Sequence, residues 1–178
     1  MVEKALIADI GGTNARFGIV DMQGVRDLVY LECRSYTGPV EAAEAYLEQI
    51  GIKNRPEVGV FAVAGPVVED LVNFPNSPWN FRISGVRSDM GMRTLDVMND
   101  FKAVALAIPD ISPTLLHKMG GPEPEAGWAK GVLGPGTGLG VASLMWNGTD
   151  YLANPGEGGH VTMPATTDRE FDIFHRLR

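Results

Sequence analysis

Cysteine is nearly absent: Cys33 is the single one among 178 residues. An internal disulfide is therefore excluded, and so is a cysteine-rich zinc site. A lone thiol fits a reducing cytoplasm, the expected location. Long apolar runs are missing as well. No stretch reaches about 18 apolar residues, so no transmembrane helix and no membrane partner are expected. The opening Met1-Val2-Glu3-Lys4 leads straight into strand-like sequence, without the apolar core of a signal peptide. Positive charge is scarce: 15 Lys and Arg face 22 Asp and Glu, a formal net charge of −7. Nucleic-acid binders are usually basic, because they neutralise phosphates, so no nucleic acid is expected as partner. The rest is ordinary. Apolar residues make up 44% and charged residues 21%, a globular balance. A chain of this length buries roughly 70% of its unfolded surface.

Glycine, by contrast, is plentiful, with 22 residues, and it clusters. One cluster is Asp9-Ile10-Gly11-Gly12-Thr13-Asn14; another is Gly134-Pro135-Gly136-Thr137-Gly138-Leu139-Gly140. Each lies between strand-like segments and offers closely spaced backbone N–H groups beside a threonine hydroxyl. Bare backbone approaches phosphate oxygens closely and adopts conformations that other residues avoid. Two such turns suit an anionic ligand held between two halves of a protein, a nucleotide triphosphate above all. A net acidic chain can still hold ATP through backbone N–H groups and a metal.

The pattern along the chain is mixed. Residues 5–10, 15–20 and 28–34 read as strands of an antiparallel meander, with a turn at 21–24. Residues 40–50 switch to helical period, with Val40, Ala43, Leu47 and Ile50 on one face and Gly51 as C-cap. Residues 58–64 form an apolar strand ending at Gly65-Pro66, and 76–80 form a loop. Ser84 caps a short helix through Met92, and 95–98 is a short strand. A helix follows with Phe101, Val104, Ala105 and Ile108 on one face. Pro109, Pro113 and Gly120-Gly121-Pro122 mark a loop-rich boundary near residue 110. Strands near 130–134 and 139–146 bracket the second glycine turn, and a helix is just beginning at Asp168 where the chain stops. The chain is expected to be the N-terminal part of a longer protein. Meander followed by alternation predicts an α/β fold with a mixed sheet. The P-loop pattern is absent, and the dinucleotide pattern fails, since its last glycine would fall on Leu139 or Val141.

Three places carry candidate chemistry. Asp9, at a strand end beside the first turn, is placed to hold Mg²⁺ against phosphates or to cap a tight hairpin. Thr13 can bond a phosphate oxygen. Asp100, after Asn99, is either a helix cap or a general base that takes a proton from an attacking alcohol. In Pro155-Gly156-Glu157-Gly158-Gly159-His160, a carboxylate and an imidazole flanked by glycine suit a ligand with several hydroxyls, or form a plain flexible loop. Arg16 can steer phosphate or stay solvated. Trp79 can pack on a sugar ring or fill the core.

Together these motifs resemble the bacterial glucokinase family, within the actin-like, sugar-kinase and heat-shock chaperone group of ATPases. The matching segments are residues 5–16, 63–67, 99–104, 133–141 and 155–161, in family order. The resemblance implies an actin-like ATPase (ribonuclease H-like) fold, with a mixed sheet flanked by helices. A small lobe would span 1–110, and 111–178 would begin a second, similar lobe. It implies ATP-dependent phosphorylation of D-glucose at the 6-hydroxyl, feeding glycolysis, with ATP and Mg²⁺ required. Asp100 matches the catalytic base; Asn99, Asp100, Glu157 and His160 match sugar-binding positions. Ala8, Asp9, Ile10, Gly11, Gly12 and Thr13 match the first nucleotide segment, and Gly136, Thr137 and Gly138 the second, with Asp9 as metal site. It also implies a homodimer for the full-length protein. Family members continue beyond residue 178, and a final C-terminal helix normally completes the first lobe. The 178-residue chain alone is therefore expected to be a poor enzyme or inactive. Two departures stand out. Pro135 removes one N–H from the second turn, and Pro75 stands where the family tends to have threonine. The competing readings are a sugar-sensing regulator and an ATP-binding module that takes no sugar. An N-terminal DNA-binding segment and clustered cysteines are missing for the first, and Glu157 with His160 speak against the second.

Overall fold

A computed structural model describes residues 4–74, 79–136 and 138–177. The meander is β1 (Ala5–Ile10), β2 (Asn14–Asp21) and β3 (Gly24–Glu32). Helix α1 (Pro39–Gln49) then leads to β4 (Val58–Val63). A small antiparallel sheet follows, made of β5 (Val67–Val68), β6 (Leu71–Asn73) and β7 (Asn80–Arg82). Next come α2 (Ile83–Asp89), β8 (Thr94–Asn99) and α3 (Asp100–Ala107). The last part holds β9 (Lys130–Pro135), β10 (Leu139–Trp146), β11 (Tyr151–Gly156) and α4 (Asp168–Arg176).

The main sheet has the order β3-β2-β1-β4-β8. Strands β1, β2 and β3 pair antiparallel, whereas β1, β4 and β8 run parallel. This is the mixed α/β sheet that the patterning predicts. Parallel neighbours need a crossover, and α1 and α2 supply it. Alternation along β1 decides what each face carries. Leu6, Ala8 and Ile10 are buried, while Ile7 and Asp9 point the other way. The buried face packs against α1 through Ala42, Ala43, Tyr46 and Leu47. Phe17 stacks on Tyr46 at 5.6 Å and meets Phe61 edge-on at 6.3 Å. Gly51 follows α1 with φ +63°, the left-handed conformation expected of a residue just past a helix end.

Several sequence expectations are shifted. The third strand starts at Gly24 rather than residue 28, because Val25 pairs with Val20 across the turn. Helix α1 buries Ala42 and Tyr46 as well as Ala43 and Leu47, while Val40 and Ile50 pack at its margin. Ser84 does not cap α2. It lies inside the first turn, and Asp70 accepts from both its N and its Oγ at 2.7 Å. A carboxylate from a neighbouring turn thus satisfies the helix end. Val104 is exposed, and α3 buries only Ala105, with Phe101 and Ile108 beside it. The 76–80 loop lies largely outside the described residues, and Asn80 belongs to β7.

The second sheet has the order β11-β10-β9, all antiparallel. Its inner face carries Val132, Ala142 and Leu144, packed on Ala105 of α3. Helix α4 opens on a capping box, Thr167 with Glu170, at the place where the sequence predicts a helix start. Among the described residues, no helix is long and apolar enough to cross a membrane.

Candidate functional site

The parallel strands β1, β4 and β8 end level with one another: Ile10 sits beside Val63, and Val63 beside Asn99. In open α/β sheets, ligands bind beyond the carboxyl ends of the strands. Three short segments occupy that edge: Gly11-Gly12-Thr13, Ala64-Gly65-Pro66 and Asn99-Asp100. Ala64 N donates to Ile10 O at 2.9 Å, so the ladder continues one step past the strand. A β-carbon on Gly65 would come 2.9 Å from Asn73 O, so only a bare residue fits there. Facing this edge are the β9–β10 turn and the segment after β11. The two sides enclose an open cleft of about 800 Å³. Gly12, Thr13, Asp100, Gly136, Glu157 and His160 are all in its wall.

Asn99 and Asp100 are held by the start of α3. Asn99 is the N-cap: its Oδ1 accepts from Lys102 N at 3.1 Å. Its Nδ2 donates to Asp100 Oδ1 at 3.0 Å and reaches Gly65 O at 3.5 Å. The capping role that the sequence leaves open for Asp100 therefore falls to Asn99, and the Asp100 carboxylate is left for the cleft. Phe101 N also donates to Asp100 Oδ1, at 2.8 Å. Asp100 is half-buried, and that desolvation pushes its carboxyl above the ordinary aspartate range. The Asp9 charge adds to the rise, while the donors from Phe101 and Asn99 oppose it. A carboxylate with raised proton affinity at a cleft edge is suited to accept a proton from an alcohol.

The two glycine turns differ in detail. Gly11 N donates to Asn14 O at 2.9 Å, closing the first turn as a hairpin. Thr13 O accepts from Cys33 N at 2.9 Å, and Cys33 Sγ reaches Gly11 O at 3.5 Å. The buried cysteine thus ties down the backbone under the turn. In the second turn, Gly136 N donates to Gly138 O at 2.7 Å. Thr137 lies outside the described residues. The segment after β11 carries Glu157 and His160, both exposed, with carboxylate and imidazole 3.6 Å apart. His160 N donates to Glu157 O at 2.9 Å, so a single turn presents both side chains.

Other expected residues stand elsewhere. The side chains of Ala8 and Ile10 are in the core, which leaves only their backbone near the nucleotide segment. Asp9 lies on the opposite face of β1, bonded to Arg16 across the β1–β2 pair at 2.7 Å. Arg16 also lies 5.3 Å over the Tyr30 ring, so it is partnered on both sides. Among the described residues, no group of three or more His, Cys, Asp or Glu is arranged to hold a metal. Magnesium does not need one, because it keeps several waters and takes one or two carboxylates beside phosphate oxygens. A lone Asp9 next to a glycine turn fits that habit. Trp79 is in the core, its Nε1 donating to Tyr36 O at 3.0 Å, and is not a sugar platform. The sequence places Gly134 and Gly140 in the second glycine turn and Phe101 on an apolar helix face; all three are in the cleft wall. The available signal was an aromatic directly after Asp100 and bare positions at both flanks of the turn. A second cavity of about 410 Å³, between Thr162–Ala165 and α4, is lined mainly by apolar groups such as Met163, Phe171 and Leu177.

The family model described as Glucokinase matches residues 6–178. The glucokinase of Paramagnetospirillum magneticum is 45% identical over 180 residues, covering 100% of this chain and 56% of its own length. That of Nitrobacter hamburgensis is 38% identical over 178 residues, with the same coverages of 100% and 56%. A crystal structure of glucokinase from an Antarctic psychrotroph superposes with a TM-score of 0.84 at 29% identity, covering 99% of this chain and 56% of that one. The chain thus spans little more than half the length of the relatives it matches. With its strand-end cleft, its two glycine turns and a match along nearly all its residues, the chain belongs to the glucokinase family.

Proposed function

We propose that the full-length protein transfers the γ-phosphoryl group of ATP to the 6-hydroxyl of D-glucose, giving ADP and glucose 6-phosphate. The observation that carries this reading is Asp100: a half-buried carboxylate of raised proton affinity, in one cleft with both glycine turns. Phosphoryl transfer asks little covalent chemistry of a protein. It needs the donor, the alcohol and a base held in line. Asp100 is the base that accepts the hydroxyl proton as oxygen attacks phosphorus. Glu157 and His160 bond further sugar hydroxyls, and Asn99 holds the carboxylate of Asp100 while sharing in sugar binding. The turn at Gly11, Gly12 and Thr13 receives phosphate oxygens from one side, and the turn at Gly136, Thr137 and Gly138 from the other; the N–H groups of Gly11 and Gly136 close their own turns on Asn14 O and Gly138 O. Asp9 would hold Mg²⁺, directly or through water, and the ion would neutralise phosphate charge. Arg16 competes for the same carboxylate, so its ion pair must open or shift when the ion binds.

Residues 1–110 and 111–178 are read as two lobes that meet at this cleft. ATP supply places such an enzyme in the cytoplasm. A homodimer is the proposed assembly, checked by sedimentation of the full-length protein. The deciding experiment is a coupled ADP-release assay of that protein over glucose, mannose and glucosamine, with ATP, ADP and polyphosphate as donors. Glucose with ATP is expected to give the highest kcat/KM. Absence of glucose-dependent ADP release would overturn the reading. Calorimetry with glucose and no nucleotide is expected to show binding heat; a flat trace would favour a nucleotide module that takes no sugar.

A further inference from the structure

We propose that Phe101 is a positioning residue: its ring keys the Asp100 carboxylate to the β9–β10 hairpin, and Gly134 and Gly140 are bare in order to seat that ring. The role assumes Asp100 as base, as read above. The four glycines of the second turn fall into two pairs by what surrounds them. Gly136 and Gly138 are at the tip, where an added β-carbon would have room. Its nearest neighbour would be 3.8 Å away at Gly136, and nothing would lie within 4 Å at Gly138. Gly134 and Gly140 pair across the hairpin. A β-carbon on Gly134 would come 2.6 Å from Phe101 Cζ, and one on Gly140 would overlap the ring outright. Neither has the left-handed backbone that demands glycine. They are bare for space, and the ring fills that space.

The ring is joined to the base by one peptide unit. Phe101 N donates to Asp100 Oδ1, as Asn99 Nδ2 does. Two donors thus fix one oxygen of the carboxylate. Phe101 lines the cleft and packs on the small cluster of Ala105, Val132, Ala142 and Leu144. A side chain at position 140 must push the ring out of its seat. The first turn of α3 then moves, and the carboxylate with it. Displacements of about 1 Å at a reacting group are enough to lower rates about 100-fold.

The test is a double-mutant cycle in the full-length protein. Gly140→Ala is expected to lower kcat by about 100-fold, with KM for glucose and ATP changed by less than about threefold. Adding Phe101→Leu gives the methyl room and is expected to restore kcat at least about tenfold over the single variant. A rise in KM for ATP with no restoration would make Gly140 a phosphate contact and overturn the proposal. The same cycle read as Tm needs no activity. Restored Tm in the double variant supports the seat even if the wild type phosphorylates no glucose, whereas additive losses refute it. If Gly140→Ala does not fold, Gly134→Ala with and without Phe101→Leu gives the milder version of the same comparison.

Discussion

The two glycine turns are alike in sequence and unlike in support. The first is carried by a five-stranded sheet. Beneath it, 20 buried residues among those described form one apolar cluster, which includes Cys33 and stacked aromatic rings. The second is carried by a three-stranded sheet whose buried cluster holds four of the described residues. The outer face of that sheet leaves Leu133, Met145 and Leu152 exposed. On the proposed reading each turn is a phosphate clamp, which works by being in place before the ligand arrives, because fixed dipoles need no reorganisation. The first turn has that rigidity from its own surroundings. The second depends on α3 and Phe101, that is, on the element that also carries Asp100.

The sharpest way to break this comparison is to ask whether both regions serve one reaction. Asp100→Asn is expected to lower kcat by roughly 10²–10⁴-fold while glucose binding, measured by calorimetry, stays within a few-fold. Loss of binding together with rate would make Asp100 a sugar ligand only. The next largest effect is on stability. Leu6 and Leu144 are both fully buried, one in each cluster. Leu6→Ala is expected to cost about 4–5 kcal/mol in denaturant unfolding, and Leu144→Ala about 2–3 kcal/mol, since a small cluster collapses more readily around a cavity. Equal losses would show that the second region is as well packed as the first.

Smaller effects sharpen the picture. The raised proton affinity of Asp100 means that folding disfavours its ionised form. That penalty is absent at pH well below the ordinary aspartate value of about 3.9, grows as pH rises past it, and is complete above the raised folded-state value. Asp100→Asn should therefore raise Tm at neutral pH and lose that advantage in acid. A Tm gain independent of pH would assign the effect to packing. Tyr46 carries the smallest expected change. Burial pushes its phenol up to about 12, and its hydroxyl has no partner among the described residues. Tyr46→Phe should stabilise the first cluster by about 1 kcal/mol, because an unsatisfied buried group is removed. A loss would point to a buried water on that oxygen.

Most of the fold was legible because its signals are local. A short apolar run predicts β1, strand-like sequence after the first turn predicts β2, helical period predicts α1, and glycine marks the turns. The helix start at Asp168 is written in Thr167 and Glu170, three residues apart. Ser84 was misread because its partner, Asp70, is 14 residues away and satisfies the helix end from outside it. Trp79 was ambiguous because an indole serves a core or a sugar equally well, and only its 3.0 Å bond to Tyr36 O decides. Phe101 reads as plain core in the sequence, because an aromatic on an apolar helix face carries no local sign of a cleft.

The sequence by itself determined the mixed sheet, the two turns and the residue types at the candidate site, since propensity and motif spacing are properties of neighbouring residues. Only the tertiary structure decided which glycines of the second turn have open space beside them and which face the Phe101 ring. It also decided that Asn99, not Asp100, caps α3, and that Asp9 already holds Arg16. Those choices depend on distance between segments remote in the chain, and close packing leaves each space to a single occupant.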